Sequence, residues 1–97
     1  MSTYIVLTNF TDQGIRNVKD TVKRAEAFKE AAGKFGVTVK DMYWTLGRFD
    51  LVVTVGGPDD PSVTALGLAL GAMGNVRTQT LRAFGPGEMK QILGKMA

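Results

Sequence analysis

The residues of this chain that are best suited to chemistry surround a predicted hairpin within residues 41–60. Asp50 is the best candidate for a catalytic residue, because a carboxylate that opens a central strand can act as a general base or anchor a ligand. A structural role is the alternative, in which Asp50 caps the hairpin by accepting hydrogen bonds from Arg48, Thr45 or nearby backbone. The sequence leaves both interpretations open.

Four further polar residues are placed to join Asp50 in a ligand-binding site. The predicted ligand-binding set is Asn9, Tyr43, Thr45, Asp50 and Arg77. Packing in the core or in an interface is the simpler role for Tyr43, and local turn bonding explains Asn9 equally well. Arg77 lies in a strand of alternating polarity, which is also how an edge strand avoids aggregation. The sequence therefore predicts a site for a small organic ligand, with these structural roles as alternatives.

The composition excludes several classes of chemistry. The 97-residue chain contains no cysteine and no histidine. It therefore has no disulfide, no thiolate nucleophile and no cysteine metal site, and it lacks the usual general base and metal ligand of hydrolase triads, haem sites and zinc sites. We expect no metal site and no cofactor.

Charge and hydropathy indicate an ordinary globular domain. Hydrophobic residues make up 44% of the chain and charged residues 22%, with a net charge of +3, which excludes a disordered or collagen-like class. This basic balance permits anionic ligands without requiring nucleic acid. The chain begins without a signal-peptide pattern, and its most apolar window, residues 63–74, is shorter than the roughly 20 residues needed to span a bilayer. We expect a cytoplasmic protein that does not enter the membrane.

Hydrophobic periodicity predicts strands that alternate with helices. The predicted strands are residues 3–9, 37–46, 49–55 and 75–84, and the predicted helices are residues 20–34, 61–73 and 86–96. Asp20 and Asp60 are the expected N-caps of the first two helices. Gly47 suits the first central position of a two-residue type II′ turn in the hairpin.

This order of elements is that of the ferredoxin-like βαββαβ fold. We predict an α+β protein in which a four-stranded antiparallel sheet carries two helices on one face, followed by a short C-terminal helix. The chain forms a single domain, residues 1–97, with its core in residues 3–85 and the terminal helix in residues 86–96.

The hairpin register predicts that both faces of the sheet need a cover. A two-residue turn pairs Trp44 with Leu51 and Tyr43 with Val52, which puts Trp44 and Tyr43 on opposite faces. One face is wholly apolar: Met42, Trp44, Leu46, Phe49, Leu51 and Val53. The other face is mixed: Asp41, Tyr43, Thr45, Asp50, Val52 and Thr54. Two helices cover only one face, so we expect a second copy of the chain to cover the other, as in a dimeric α/β barrel with the terminal helix available to clamp the partner.

Four motifs connect the chain with a known family: TDQG at residues 11–14, YWTLGRFDLVV at 43–53, PDD at 58–60 and GNVRTQTLRAF at 74–84. Over residues 3–85 the chain resembles the GYD domain family, small bacterial and archaeal proteins of uncharacterised function named for a Gly-Tyr-Asp signature in the hairpin. The signature here reads Gly47-Arg48-Phe49-Asp50, so a phenylalanine replaces the usual tyrosine and removes its hydroxyl. The resemblance implies a ferredoxin-like fold and a dimeric α/β barrel, and it implies no established activity.

Three functions fit this fold. The first is a homo-oligomeric module that binds or senses a small molecule, in a cavity between sheet and helices or at the dimer seam. The alternative is a cofactor-independent monooxygenase or isomerase acting on a small aromatic or phenolic substrate, by analogy with enzymes on the same barrel. The third is RNA binding, but residues 49–53 carry an acid and one aromatic where RNA-recognition domains need alternating aromatics. We expect no nucleic-acid partner, and the sequence leaves open whether the protein is an enzyme.

Overall fold

The architecture is a four-stranded antiparallel sheet with two long helices against one face. The computed structural model describes residues 1–96. Its strands are β1 Ser2–Phe10, β2 Thr38–Trp44, β3 Leu51–Gly57 and β4 Val76–Ala83; its helices are α1 Asp12–Arg16, α2 Thr21–Lys34, α3 Asp60–Ala72 and α4 Pro86–Gly94, and a single 3₁₀ turn spans Val18–Asp20. The strands lie in the order β2-β3-β1-β4 with antiparallel neighbours. The predicted ferredoxin-like α+β fold is confirmed.

Side-chain alternation along the central strands decides which face of the sheet is buried. In β1, Tyr4, Val6 and Thr8 are buried while the intervening residues are only half-buried. Strand β3 repeats this pattern, because cross-strand partners share a face. The buried apolar core consists of Tyr4, Val6, Ala32, Val37, Val53, Val55, Val63 and Leu66, drawn from the sheet, from α2 and the turn that follows it, and from α3. Both long helices therefore lie on one face, and we call the opposite side of the sheet the open face.

The hairpin between β2 and β3 keeps its predicted register but not its predicted turn. Trp44 pairs with Leu51 and Tyr43 with Val52, as expected. The strands end at these residues, and the connection is Thr45–Asp50, closed by a backbone hydrogen bond of 2.8 Å from Thr45 N to Asp50 O. Leu46, expected on the apolar face, is fully exposed in this longer loop. Gly47 has a φ of +116°, which explains why glycine occupies this position.

The cap of α3 lies one residue earlier than the sequence predicts. Asp59 Oδ1 accepts a hydrogen bond of 2.7 Å from the backbone N–H of Ser62, and this bond lowers the pKa of the Asp59 carboxyl. Asp60 is instead the first helical residue, and its carboxylate accepts a hydrogen bond from the hydroxyl of Tyr4. That bond raises the pKa of Tyr4 because it favours the protonated phenol. The hydrogen bond between Tyr4 and Asp60 therefore connects α3 to β1.

The helical spacing of Val22, Ala25, Phe28, Ala32 and Phe35 predicts the inner face of α2, and the structure has that face except at the first turn. Ala25 and Ala32 are buried and Phe28 is half-buried, as the spacing predicts. Val22, expected on the same face, is 56% exposed. In this first turn it is Thr21 that faces the sheet, where its hydroxyl accepts a hydrogen bond of 3.1 Å from Trp44 Nε1.

Helix α4 extends the chain beyond the sheet. Arg82 of β4 holds it through a salt bridge of 3.0 Å from Nη2 to Glu88 Oε2, which lowers the pKa of Glu88. Met89 and Leu93 leave much of their side-chain surface exposed. No helix within residues 1–96 is long and apolar enough to cross a membrane.

Two turns dock against each other at one end of the sheet. Thr11 caps α1, and its hydroxyl also donates a hydrogen bond of 2.5 Å to Gly74 O. The backbone N–H of Thr11 donates to Asn75 O at 3.0 Å, and Gln13 Nε2 donates to Asn75 Oδ1 at 3.0 Å. Gly14 packs so closely here that a Cβ would lie 1.9 Å from Asn75 O. The TDQG and GN segments of the sequence therefore form one structural unit.

We predict that Gly14→Ala destabilises the protein by about 1–3 kcal/mol or more, because extra atoms forced into a packed site usually cost this much. Gly33→Ala is the matched control, because this helical position has no atom within 4 Å of an added Cβ. The control should gain about 0.5–1 kcal/mol from its better helix propensity. Urea unfolding of the two variants measures both effects, and equal stability would contradict the close contact.

Candidate functional site

A cavity of about 280 Å³ lies between the sheet and the two long helices. Its floor is the buried face of β1, β2 and β3, and its walls are α2, α3 and the start of β4. Its lining includes Thr8, Arg24, Phe28, Met42, Ala69 and Asn75. Ligand pockets usually measure about 300–1,000 Å³, and this cavity lies just below that range, so it has room for a molecule at the small end of the usual ligand sizes.

The cavity exists because the helices present small side chains over one half of the sheet. Ala25, Ala27 and Ala31 of α2 and Ala69 of α3 all line it. Short side chains leave volume that the larger residues around them do not fill.

The other half of the sheet is tightly packed. There, Val63 approaches Gly57 so closely that a Cβ on the glycine would lie 2.4 Å from Val63 Cγ2. Val55, the cross-strand partner of Tyr4, is fully buried. The end of the domain near Gly57 is therefore densely packed, and the end near Arg24 contains the cavity.

Polar groups are few and lie toward the docked turns. The lining side chains that can form hydrogen bonds are Thr8, Thr21, Arg24 and Asn75. Arg24 donates from Nη1 to Asn17 O at 2.9 Å and from Nη2 to Gly14 O at 3.3 Å. Gly14 in turn contacts Asn75 O. Arg24 and Asn75 therefore share the polar end of an otherwise apolar cavity.

The predicted ligand-binding residues lie outside this cavity. Tyr43 is 63% exposed, and the register places it on the open face beside Val52. Asn9 is the cross-strand partner of Arg77 on the same face. The guanidinium of Arg77 turns around the edge of the sheet and donates a hydrogen bond of 3.2 Å to Gly71 O in α3.

Asp50 and Thr45 bond to the backbone. Asp50 Oδ2 accepts a hydrogen bond of 2.8 Å from the backbone N–H of Phe10, just beyond the last β1–β3 pair. The Thr45 hydroxyl donates to Phe49 O at 2.5 Å. These bonds support the structural interpretation of Asp50, whose role in ligand binding stays a prediction.

Sequence reasoning did not identify Arg24 or the alanines of α2 as site residues. Their signal is the spacing itself, because Arg24, Ala27, Phe28 and Ala31 recur at i, i+3, i+4 and i+7 and so lie on one side of the helix. A pattern of small residues indicates close packing as readily as a cavity. The two outcomes differ only in the distance between helix and sheet.

We predict that Asp50→Ala destabilises the fold by about 1–3 kcal/mol, because the partly buried N–H of Phe10 loses its acceptor. Asp50→Asn keeps an oxygen at this position and should cost clearly less. Chemical denaturation of both variants measures the difference. If the asparagine variant were as unstable as the alanine variant, the negative charge rather than the hydrogen bond would be the stabilising feature.

Comparison with known proteins agrees with this fold. The family model described as GYD domain matches residues 4–93. The chain is similar to a solved protein, TTHA0845 from Thermus thermophilus, whose crystal structure shares 27% sequence identity and a TM-score of 0.53, with coverage of 88% of this chain and 95% of that one. A comparison with curated proteins gave no match. Because the family model spans nearly the whole chain, this protein belongs to the GYD domain family.

Proposed function

We propose that this protein is a binding or sensing module for a small, largely apolar organic molecule, and that it works as a homo-oligomer. The observation that carries the first part is the cavity of about 280 Å³ between the sheet and the two long helices. Its walls are formed mainly by aliphatic and aromatic side chains, with a few polar groups at one end. This combination is typical of sites that bury a ligand and fix its orientation.

The physical gain from filling this cavity is hydrophobic. Each methylene group that leaves water contributes about 0.8 kcal/mol. The lining atoms also gain dispersion contacts that an unfilled space does not provide. A ligand of modest size can therefore bind here without many hydrogen bonds.

A binding role is better supported than catalysis by the residues first considered as catalytic. Asp50 uses one carboxylate oxygen to hold Phe10 N, and Tyr43 lies on the open face, away from the cavity. An enzyme needs its general base within hydrogen-bond reach of the substrate. Neither residue meets that condition for a molecule held between the sheet and the helices.

Benzene is a suitable first probe of the cavity. Its binding should raise the melting temperature, because a ligand that binds only the folded state stabilises it. Ala69→Phe, which places a ring in the cavity wall, should reduce this rise. Ala65→Phe is the control, since it lies one turn earlier on α3 and outside the lining. Equal rises in both variants, or no rise in the unmodified protein, would contradict binding in this cavity.

The open face of the sheet supports the proposal of a homo-oligomer. Leu7 pairs with Val52, and Ile5 pairs with Leu81, so an apolar patch crosses three strands on the side opposite α2 and α3. Leu81 is 41% exposed. A monomer rarely leaves such a patch in water. A second copy, packed sheet to sheet, would cover it, and the exposed apolar side chains of α4 would add contacts at the rim.

We expect sedimentation at micromolar concentration to give a dimer or a multiple of it. Leu81→Glu should shift the population toward monomer, because it buries a charge in the interface. Leu68→Glu is the matched control, since Leu68 is 71% exposed on the outer side of α3. A monomeric unmodified protein, or equal dissociation of the two variants, would contradict a sheet-to-sheet dimer.

A further inference from the structure

We infer that the ligand of the cavity is an apolar monocarboxylate whose carboxylate binds Arg24. This inference rests on the function proposed above and adds the chemical class of the ligand. It follows from the kind of groups that line the cavity, from the way Arg24 is held, and from the absence of a neutralising charge beside it in the described part of the chain.

The lining selects an apolar body with one polar end. Its side chains are predominantly aliphatic and aromatic, and within residues 1–96 Arg24 is the single charged residue that lines it. Thr21 already accepts a hydrogen bond from Trp44, and Asn75 Oδ1 accepts one from Gln13. The polar end is therefore dominated by a positive charge.

Arg24 is oriented by neutral partners that leave its charge uncompensated. Its two hydrogen bonds go to the backbone carbonyl oxygens of Asn17 and Gly14. Within residues 1–96, the one salt bridge with an N–O distance below 4.0 Å joins Arg82 and Glu88. In the described part of the chain, no carboxylate oxygen thus lies within 4.0 Å of a guanidinium nitrogen of Arg24. A half-buried cation beside an apolar cavity favours an anionic ligand.

The guanidinium also has the geometry to recognise a carboxylate. It carries five N–H donors in a planar fork, and the two backbone carbonyls occupy only part of them. The remaining donors can bond both oxygens of a planar carboxylate, which an ammonium or an amide does less well. Because the carbonyls hold the fork in place, little side-chain freedom is lost when the ligand binds.

Three probes of similar size test this inference: phenylacetate, its neutral analogue phenylacetamide, and benzene. Titration calorimetry at low ionic strength should show phenylacetate binding at least about tenfold more tightly than phenylacetamide, the usual effect of a hydrogen bond to a charged group. Arg24→Gln should abolish this preference while benzene still binds. Lys23→Gln is the control, because it removes the same charge from the neighbouring exposed position of α2 and should leave the preference intact.

The outcomes separate this inference from the function on which it rests. If benzene binds but phenylacetate has no advantage, or keeps it in Arg24→Gln, the carboxylate assignment is wrong and the apolar cavity remains a binding site. If the unmodified protein binds none of the three probes, the proposed binding function itself fails. Should Arg24→Gln not fold, Arg24→Lys gives the answer, since it keeps the charge but not the fork: its preference should fall, and an unchanged preference would overturn the inference.

Discussion

The close approach of Gly14 to the backbone carbonyl of Asn75 is the contact on which the end of the domain that contains the cavity depends. It joins the turn after β1 to the turn before β4, where an added Cβ would lie 1.9 Å from the carbonyl oxygen. The same glycine offers its own carbonyl to Arg24. One small residue thus sets the distance between the two turns and helps to hold Arg24 at the polar end of the cavity. This is a physical reason for the TDQG and GN segments to occur together in one chain.

The two ends of the domain differ in how densely they are packed. Tyr4, Val55 and Val63 form a dense core where Gly57 allows α3 to lie directly on the sheet. At the other end, alanines on both helices leave a cavity over Val53 and Thr8. Dense packing stabilises the fold at one end, so the hollow end can retain volume for a ligand. In this arrangement, the dense core and the proposed binding cavity use different parts of the same sheet face.

Most of the polar side chains that were predicted to form a site hydrogen-bond backbone groups instead. Asp50 and Arg77 each bond a main-chain group at the end of a strand or helix, and Thr45 bonds one within the hairpin loop. Strand and helix ends leave N–H and C=O groups without regular partners, and nearby polar side chains meet that need. A carboxylate at such a position has the same sequence pattern whether it bonds a ligand or an N–H group. For Asp50, the hydrogen bond from Phe10 N supports the structural interpretation.

The sequence by itself determined the order of strands and helices, the antiparallel ferredoxin-like sheet and the faces of the hairpin. These features follow from local periodicity, because alternation in β1 and β3 and helical spacing in α2 specify which side chains share a face. The helix caps and the hairpin turn were also predicted to within a few residues. The cap of α3 is Asp59, one position before the predicted Asp60, and the predicted strands extended into residues that form the Thr45–Asp50 loop.

The tertiary structure alone decided where the cavity lies, that Arg24 stands at its polar end, and that the cavity occupies the sheet face opposite Asn9 and Tyr43. These depend on the distance between α2 and the sheet, which is set by contacts between residues far apart in the chain. Hydrophobic periodicity predicts which way a side chain points, but not how far a helix lies from the sheet. The presence of a cavity depends on that distance.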